Sequence, residues 1–296
     1  MADPSVFVLG AQKSGTTTVA DLLAAQPEVF VPSIKETYFF CDETLWEKGI
    51  DWYRQEFYGS GPAQEARLCC DATPFYLASD AALERLAAYT GPEARFVVVL
   101  RDPVARAYSA YWHQRRLGNE DLSFEAALEA EPARIAAARA EGGRWWRHAY
   151  AEAGRYSGQL ERAFDLLGRD RILILSQPDL RDARQLEQRL REHLGLPPRS
   201  SSGSGALQAN RASMPRSQAL QRFVTGRNPI KQVARKVLPR ELRTRIGRTI
   251  LKSNLKAQSY PPMRPETQAR LQEMFAADIA ALSALGVDAD PWKRAG

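Results

Sequence analysis

Gly10-Ala11-Gln12-Lys13-Ser14-Gly15-Thr16-Thr17-Thr18 follows directly on the apolar run Val-Phe-Val-Leu at 6–9, and its residue types suit an anion. A strand that turns tightly into a helix leaves several backbone N–H groups unpaired, and the helix dipole favours negative charge beside them. Gly15 lets the backbone approach an anion closely; Ser14, Thr16, Thr17 and Thr18 supply hydroxyls; Lys13 adds a mobile cation at the mouth. A loop that cradles a nucleoside triphosphate reads G-x-x-x-x-G-K-[ST], with its lysine directly after the last glycine. Here Lys13 stands two residues before Gly15, and Thr16 follows that glycine. This order disfavours a kinase or GTPase, although Asp102, behind the apolar run at 96–100, could imitate a magnesium-binding acid. The plain alternative is a strand-to-helix turn carrying a solvated lysine.

The elements that must position this loop can be read from apolar spacing. Residues 6–9 form a short continuous apolar run, as in a strand buried on both faces, and Val19, Leu22 and Leu23 mark one face of a helix over 16–25. Further strands are expected at 67–70, 96–100 and 172–175. Ser79 suits the N-cap of a helix over 80–88, and Pro103 suits the start of another. Helical patterns recur over 124–140, 154–167, 180–194 and 266–285. Strands alternating with helices indicate an α/β fold with a mostly parallel sheet covered on both sides.

Bulk properties narrow the class. The 296 residues, 44% of them hydrophobic, suit one large domain, taken as 1–296, with a flexible loop at about 199–206 (Ser- and Gly-rich). Beyond that loop no strong strand pattern is visible. Residues 222–256 carry eleven Lys or Arg against Glu241 alone, with an intermittent apolar stripe that reads as helical. A formal net charge of +6 fits an anionic ligand, nucleic acid or acidic membrane without choosing among them. Cys41, Cys69 and Cys70 are odd in number and form no C-x-x-C pair, and three histidines leave little for a metal cluster. With no leader or long apolar segment in view, a cytoplasmic protein is expected.

The opening loop and its helix resemble the 5′-phosphosulfate loop of the sulfotransferases that use 3′-phosphoadenosine 5′-phosphosulfate (PAPS). The second mark of that family is a strand, an arginine and then a serine eight residues on; here these are Arg101 and Ser109 in RDPVARAYSAY. VLGAQKSGTTT, KETYFF, KGIDWY, DATPFY, RDPVARAYSAYWHQR, the stretch 156–175 and the late DPW are similar to the carbohydrate branch, the heparan sulfate N- and O-sulfotransferases. The resemblance implies a P-loop-like three-layer sandwich with a helical C-terminal region.

It also implies roles. Ser14 to Thr18 would hold the 5′-phosphosulfate, Arg101 and Ser109 the 3′-phosphate, and Lys13 the charge growing on the phosphate leaving group. Glu36 aligns with the catalytic glutamate of the heparan sulfate enzymes and ranks first as base; His113 aligns with an active-site histidine and ranks second. Glu36 could instead simply pair with Lys35, His113 could be a half-buried helix histidine, and Ser109 could bond back to its own helix. Tyr156 could line the nucleotide pocket or belong to the core.

Two departures stand out. Ala72 occupies the place of a substrate-contacting lysine, and the late K-G-R loop is missing, its nearest match being NRASMPRS with Arg211 and Arg216. The expectation is therefore transfer of a sulfuryl group from PAPS, leaving 3′-phosphoadenosine 5′-phosphate (PAP), to a hydroxyl or amine of a carbohydrate or small natural product. No metal and no nucleic-acid partner is expected. Contact of residues 222–256 with a membrane surface stays open beside a solvated helical face. The rival classes are a P-loop kinase and a basic binding module.

Overall fold

Side chains alternate between two faces along each apolar strand, and the two faces have different partners. The computed structural model describes residues 2–198, 260–289 and 292, together with the backbone of Ser213–Pro215 and Leu255–Ala257. In chain order the main elements are β1 (Pro4–Gly10), α1 (Thr16–Ala24), β2 (Val29–Phe30), α2 (Glu43–Trp46), α3 (Ile50–Tyr58), α4 (Gly61–Glu65), β3 (Leu68–Asp71), α5 (Asp80–Tyr89) and β4 (Arg95–Leu100). Then come α6 (Pro103–Leu117), α7 (Phe124–Ala140), α8 (Tyr156–Leu167), β5 (Ile172–Ser176), α9 (Ala183–His193), β6 (Ser213–Pro215), β7 (Leu255–Ala257) and a last helix, α10 (Pro265–Ala284).

β1 to β5 form one wholly parallel sheet in the order β2-β3-β1-β4-β5. Phe7, Leu9, Phe96, Val98 and Ile172 face one side, where they pack with Leu83 and Leu86 of α5 and Leu160 and Leu167 of α8. Val6, Val8, Val97, Val99 and Leu175 face the other, against Val19 and Leu23 of α1 and Leu186 and Leu190 of α9. This is the α/β sandwich the sequence indicates. The chain leaves β1 toward one edge of the sheet and later crosses to the other, so the ends of β1 and β4 lie side by side at a topological switch point, where open α/β sheets bind ligands. None of the described helices is long and apolar enough to cross a membrane. The three cysteines are buried thiols.

Several elements depart from the sequence reading for local reasons. The helix expected over 180–194 breaks at Asp182, whose carboxylate accepts from the N–H groups of Arg184 (3.0 Å) and Gln185 (3.1 Å) and so starts α9 afresh. α8 starts at Tyr156, two residues later than expected, because its cap is remote: Asp278 of α10 accepts from the N–H of Tyr156 at 2.9 Å and of Ser157 at 3.0 Å. The short helices α2 to α4 were not anticipated; Trp46 of α2 and Tyr53 of α3 pack against Phe39 and Phe40, contacts that carry no helical period. β6 and β7 pair antiparallel, Ser213 opposite Ala257, where no strand was expected, so the basic stretch 222–256 does not stay helical to its end. The rest of that stretch, the loop at 199–206, Arg211 and Arg216 lie outside the described residues.

At the end of β3, Asp71 is completely buried and no cation pairs with it among the described residues. Its carboxylate accepts four hydroxyls: Thr37 (2.6 Å), Thr73 (2.7 Å), Tyr53 (2.8 Å) and Tyr76 (2.8 Å). Burial pushes its pKa up and these donors oppose the shift. Tyr53→Phe is expected to lower the unfolding free energy by about 1.5–3 kcal/mol, the usual worth of a hydrogen bond to a charged group. Urea denaturation reads this directly; an unchanged midpoint would show that Asp71 does not depend on the Tyr53 donor.

Candidate active site

The loop between β1 and α1 is pinned at its start and left open at its end. Ala11 N–H donates to the Val99 carbonyl (2.8 Å) and Ser14 N–H to the Ala11 carbonyl (3.1 Å), which fixes the turn against β4. Lys13 has φ 70° and Gly15 φ 112°, both left-handed, so the N–H groups that follow are turned inward to the loop. A side chain at Gly15 would also collide with Leu180, so glycine is required there twice over. Thr18 and Val19 N–H bond back to the Gly15 carbonyl, while those of Gly15, Thr16 and Thr17 find no acceptor among the described residues. Ser14 is fully buried, and its Oγ has no hydrogen-bond partner inside normal geometry; the Tyr156 hydroxyl lies beside it. Unclaimed N–H groups, an orphaned buried hydroxyl and a half-buried lysine make a candidate cradle for an anion.

Arg101 extends the cradle from the end of β4. Its Nη1 donates to the Lys13 carbonyl at 3.1 Å, and its own carbonyl accepts from the Tyr156 hydroxyl at 3.1 Å. Both oxygens of Asp102 are used as the cap of α6, accepting from Val104 N–H (3.2 Å) and Ala105 N–H (3.1 Å). They hold the start of the helix. α6 then presents Ser109, His113 and Arg116 at helical spacing on one side. The Ser109 hydroxyl meets the hydroxyl of Tyr260, which stacks on Trp112 with ring centres 5.6 Å apart, and Tyr108 holds the next residue through the Pro261 carbonyl (2.8 Å). Arg116 Nη2 lies 2.9 Å from His113 Nδ1.

The electrostatics of this corner are one-sided. Burial first, then the positive charges of Arg116 and Arg101, lower Lys13 to about 8, with Glu36 opposing. Burial, Lys13 and Arg116 together lower His113 to about 3, so its ring is neutral. Burial also pulls Arg101 below its usual value, but an arginine keeps its charge at neutral pH.

Glu36 reaches the site on a loop stitched to the end of β3. Thr37 and Tyr38 N–H donate to the Thr73 hydroxyl at 2.9 and 3.2 Å, Ala72 N–H to the Lys35 carbonyl at 3.0 Å, and Thr37 itself bonds Asp71. The Glu36 carboxylate accepts from Lys35 Nζ (2.5 Å) on one oxygen and from the Tyr38 hydroxyl (2.6 Å) on the other. Tyr38 stacks on Trp146 at 5.8 Å, and the Arg144 guanidinium lies 5.8 Å from the centre of its ring. The pairing with Lys35 foreseen as the bland reading of Glu36 is therefore present, alongside a charge contact with Lys13.

Lys13, Glu36, Arg101 and His113 come together from four separate segments, and Ser109 joins them through Tyr260, which also faces Arg101. Tyr156 is both core and site: it has no exposure and bonds the Arg101 carbonyl. Sequence reasoning missed Arg116, Tyr38 and Tyr260. Arg116 lies three residues beyond His113, a spacing that signals contact on a helix; Tyr260 carries no local signal.

The family model described as the sulfotransferase domain matches residues 3–197. The membrane-associated sulfotransferase kil1 of Dictyostelium discoideum is 34% identical over 134 residues, 43% of this chain and 28% of that protein. The bifunctional heparan sulfate N-deacetylase/N-sulfotransferase 2 of Homo sapiens is 29% identical over 204 residues, 66% of this chain and 22% of that protein. The heparan sulfate glucosamine 3-O-sulfotransferase 5 of Mus musculus is 29% identical over 108 residues, 36% of this chain and 30% of that protein. The chain thus matches less than a third of the length of each of these relatives. The crystal structure of a sulfotransferase from Alicyclobacillus acidocaldarius superposes with a TM-score of 0.68 at 24% identity, covering 99% of this chain and 100% of that one, a likeness of fold. With the phosphate-type loop at the switch point and the family match running from residue 3 to 197, the chain belongs to the sulfotransferase-domain family.

Proposed function

We propose that this protein transfers a sulfuryl group from PAPS to a hydroxyl, in preference to an amine, of a carbohydrate or small natural-product acceptor. The observation that carries the reading is the convergence of Lys13 and Arg101 on a loop whose first-turn N–H groups have no acceptor among the described residues. The donor has an anionic group at each end, and the site offers a cradle for each. Gly15, Thr16 and Thr17 N–H with the Ser14 hydroxyl would hold the 5′-phosphosulfate; Arg101 and Ser109 would hold the 3′-phosphate. When bound, the donor supplies an activated sulfuryl group and leaves as PAP.

The protein's own part is placement and charge, as in phosphoryl transfer. Lys13 brings a cation to the phosphate side. Glu36 takes the proton of the acceptor hydroxyl, which would otherwise be a weak nucleophile. Lys35 and Tyr38 fix the direction of that carboxylate. The kinase reading fares worse, because no lysine follows Gly15. The carbohydrate preference draws support from relatives named as heparan sulfate enzymes.

Glu36→Gln is expected to lower kcat by about 100- to 10,000-fold, the range for a general base, while PAP affinity by calorimetry stays within about threefold of wild type because charge recognition lies elsewhere. Lys13→Ala should reduce both turnover and PAP affinity. Wild-type turnover in Glu36→Gln would remove the base assignment, and no heat with PAP in folded wild-type protein would remove the donor assignment.

The lowered pKa of Lys13 gives a pH signature. An anion stabilises the protonated amine, so its pKa rises on binding: affinity is full below about 8 and declines as pH rises through that value. Between pH 7 and 9 the Kd for PAP should weaken by roughly tenfold, with proton uptake on binding near pH 8, and both effects should vanish in Lys13→Ala. A flat profile in the wild type would show that Lys13 does not meet the ligand.

A further inference from the structure

His113 and Arg116 carry more information than their nearness to Lys13. Every polar hydrogen-bonding atom of a guanidinium is a donor. Across the 2.9 Å contact, Arg116 Nη2–H must therefore donate and His113 Nδ1 must accept with its lone pair. A neutral imidazole with a free lone pair at Nδ1 carries its proton on Nε2. We propose that Arg116 locks His113 in the Nε2–H form, so that His113 serves sulfuryl transfer as a hydrogen-bond donor and does not accept the acceptor's proton.

This rests on the reading that the Lys13 loop takes the phosphosulfate. The groups that bear on the ring agree with it. Lys13 faces His113 from the loop after β1 and Arg116 faces it from α6; both are positive, and both add to burial in keeping the ring neutral. The negative group of the site, Glu36, acts on Lys13 and is already oriented by Lys35 and Tyr38. The two candidate bases thus divide the work: Glu36 offers a carboxylate that can accept a proton, and His113 offers an N–H to oxygens that carry negative charge. Arg116 is a positioning residue that acts through His113.

The separating variants are His113→Gln, whose amide can donate but cannot act as a base, and His113→Ala, which can do neither. His113→Ala should lose about 100- to 1,000-fold in kcat, as when a preorganised donor is removed, and His113→Gln should recover to within about tenfold of wild type. Equal loss in both variants would overturn the proposal, as would no loss in either. The tautomer is read independently of activity by nitrogen-15 spectra of the wild-type histidines, with the His113 signal assigned by its disappearance in His113→Gln. The expected result is a neutral ring protonated at Nε2 and unchanged from pH 8 down to pH 5; a proton on Nδ1, or a titration near the ordinary histidine value, would overturn it. In Arg116→Leu the ring should stay neutral, because burial and Lys13 remain, but the Nδ1–H form should appear in the nitrogen-15 spectrum beside Nε2–H; Arg116→Lys should restore part of the Nε2–H preference, and an unchanged tautomer in Arg116→Leu would overturn the lock. If PAP fails to bind the wild type, the donor reading falls, while the nitrogen-15 result still decides the Arg116–His113 pair.

Discussion

The hydrogen bond from Arg101 to the Lys13 carbonyl joins two loops separated by 88 residues, and the site depends on that join. With the bond from Ala11 N–H to the Val99 carbonyl, it ties the loop after β1 to the end of β4. It also brings a second positive charge beside Lys13 and uses a carbonyl, not a carboxylate, to hold it there. The local field therefore stays positive and adds to burial, the larger cause, in lowering Lys13 to about 8; burial, then Lys13 and Arg116, lower His113 to about 3. Such a corner is strained electrostatically until an anion enters, and the unclaimed N–H groups at the start of α1 mark where it would sit.

The opposite wall is held by a different device. Asp71 gathers hydroxyls from Thr37, Thr73, Tyr53 and Tyr76, and Thr73 in turn receives the backbone of Thr37 and Tyr38. Glu36 sits on this stitched loop although no regular element carries it. A fully satisfied buried network can hold a loop as firmly as a helix holds a side chain. Ala72, which replaces an expected lysine, contributes its N–H to the same stitching, so this position supports the loop while adding no charge to the cleft.

How much of this could be read beforehand depended on distance along the chain. The anion loop was legible because strand, glycine turn and hydroxyl-rich helix start are contiguous, and their physics is local. Arg101 and Ser109 entered through the resemblance to the PAPS-dependent sulfotransferases rather than through any local pattern; the fold puts the first directly after β4 and the second on α6. Asp182 was visible as a residue type, yet a continuous apolar period across it hid the break between the turn and α9. The true start of α8 could not be seen, because its cap comes from Asp278, 122 residues away from Tyr156. Tyr260 was silent for the same reason: only the folded chain lays it on Trp112. Arg116 was within reach, but α6 also carries Arg106 and Arg115, and composition alone does not say which arginine meets His113.

That remote cap has a bearing on how the protein is born. Tyr156 opens α8 and its hydroxyl steadies Arg101, while the carboxylate that completes the opening of α8 is translated long after the sheet. On the ribosome all five parallel strands can emerge before α10 exists, and at synthesis rates of about 5–20 residues per second the interval lasts several seconds. During that time the nascent chain has its β-scaffold but lacks the acceptor that finishes the helix behind Arg101. Maturation of the anion corner is thereby deferred until the last helix docks.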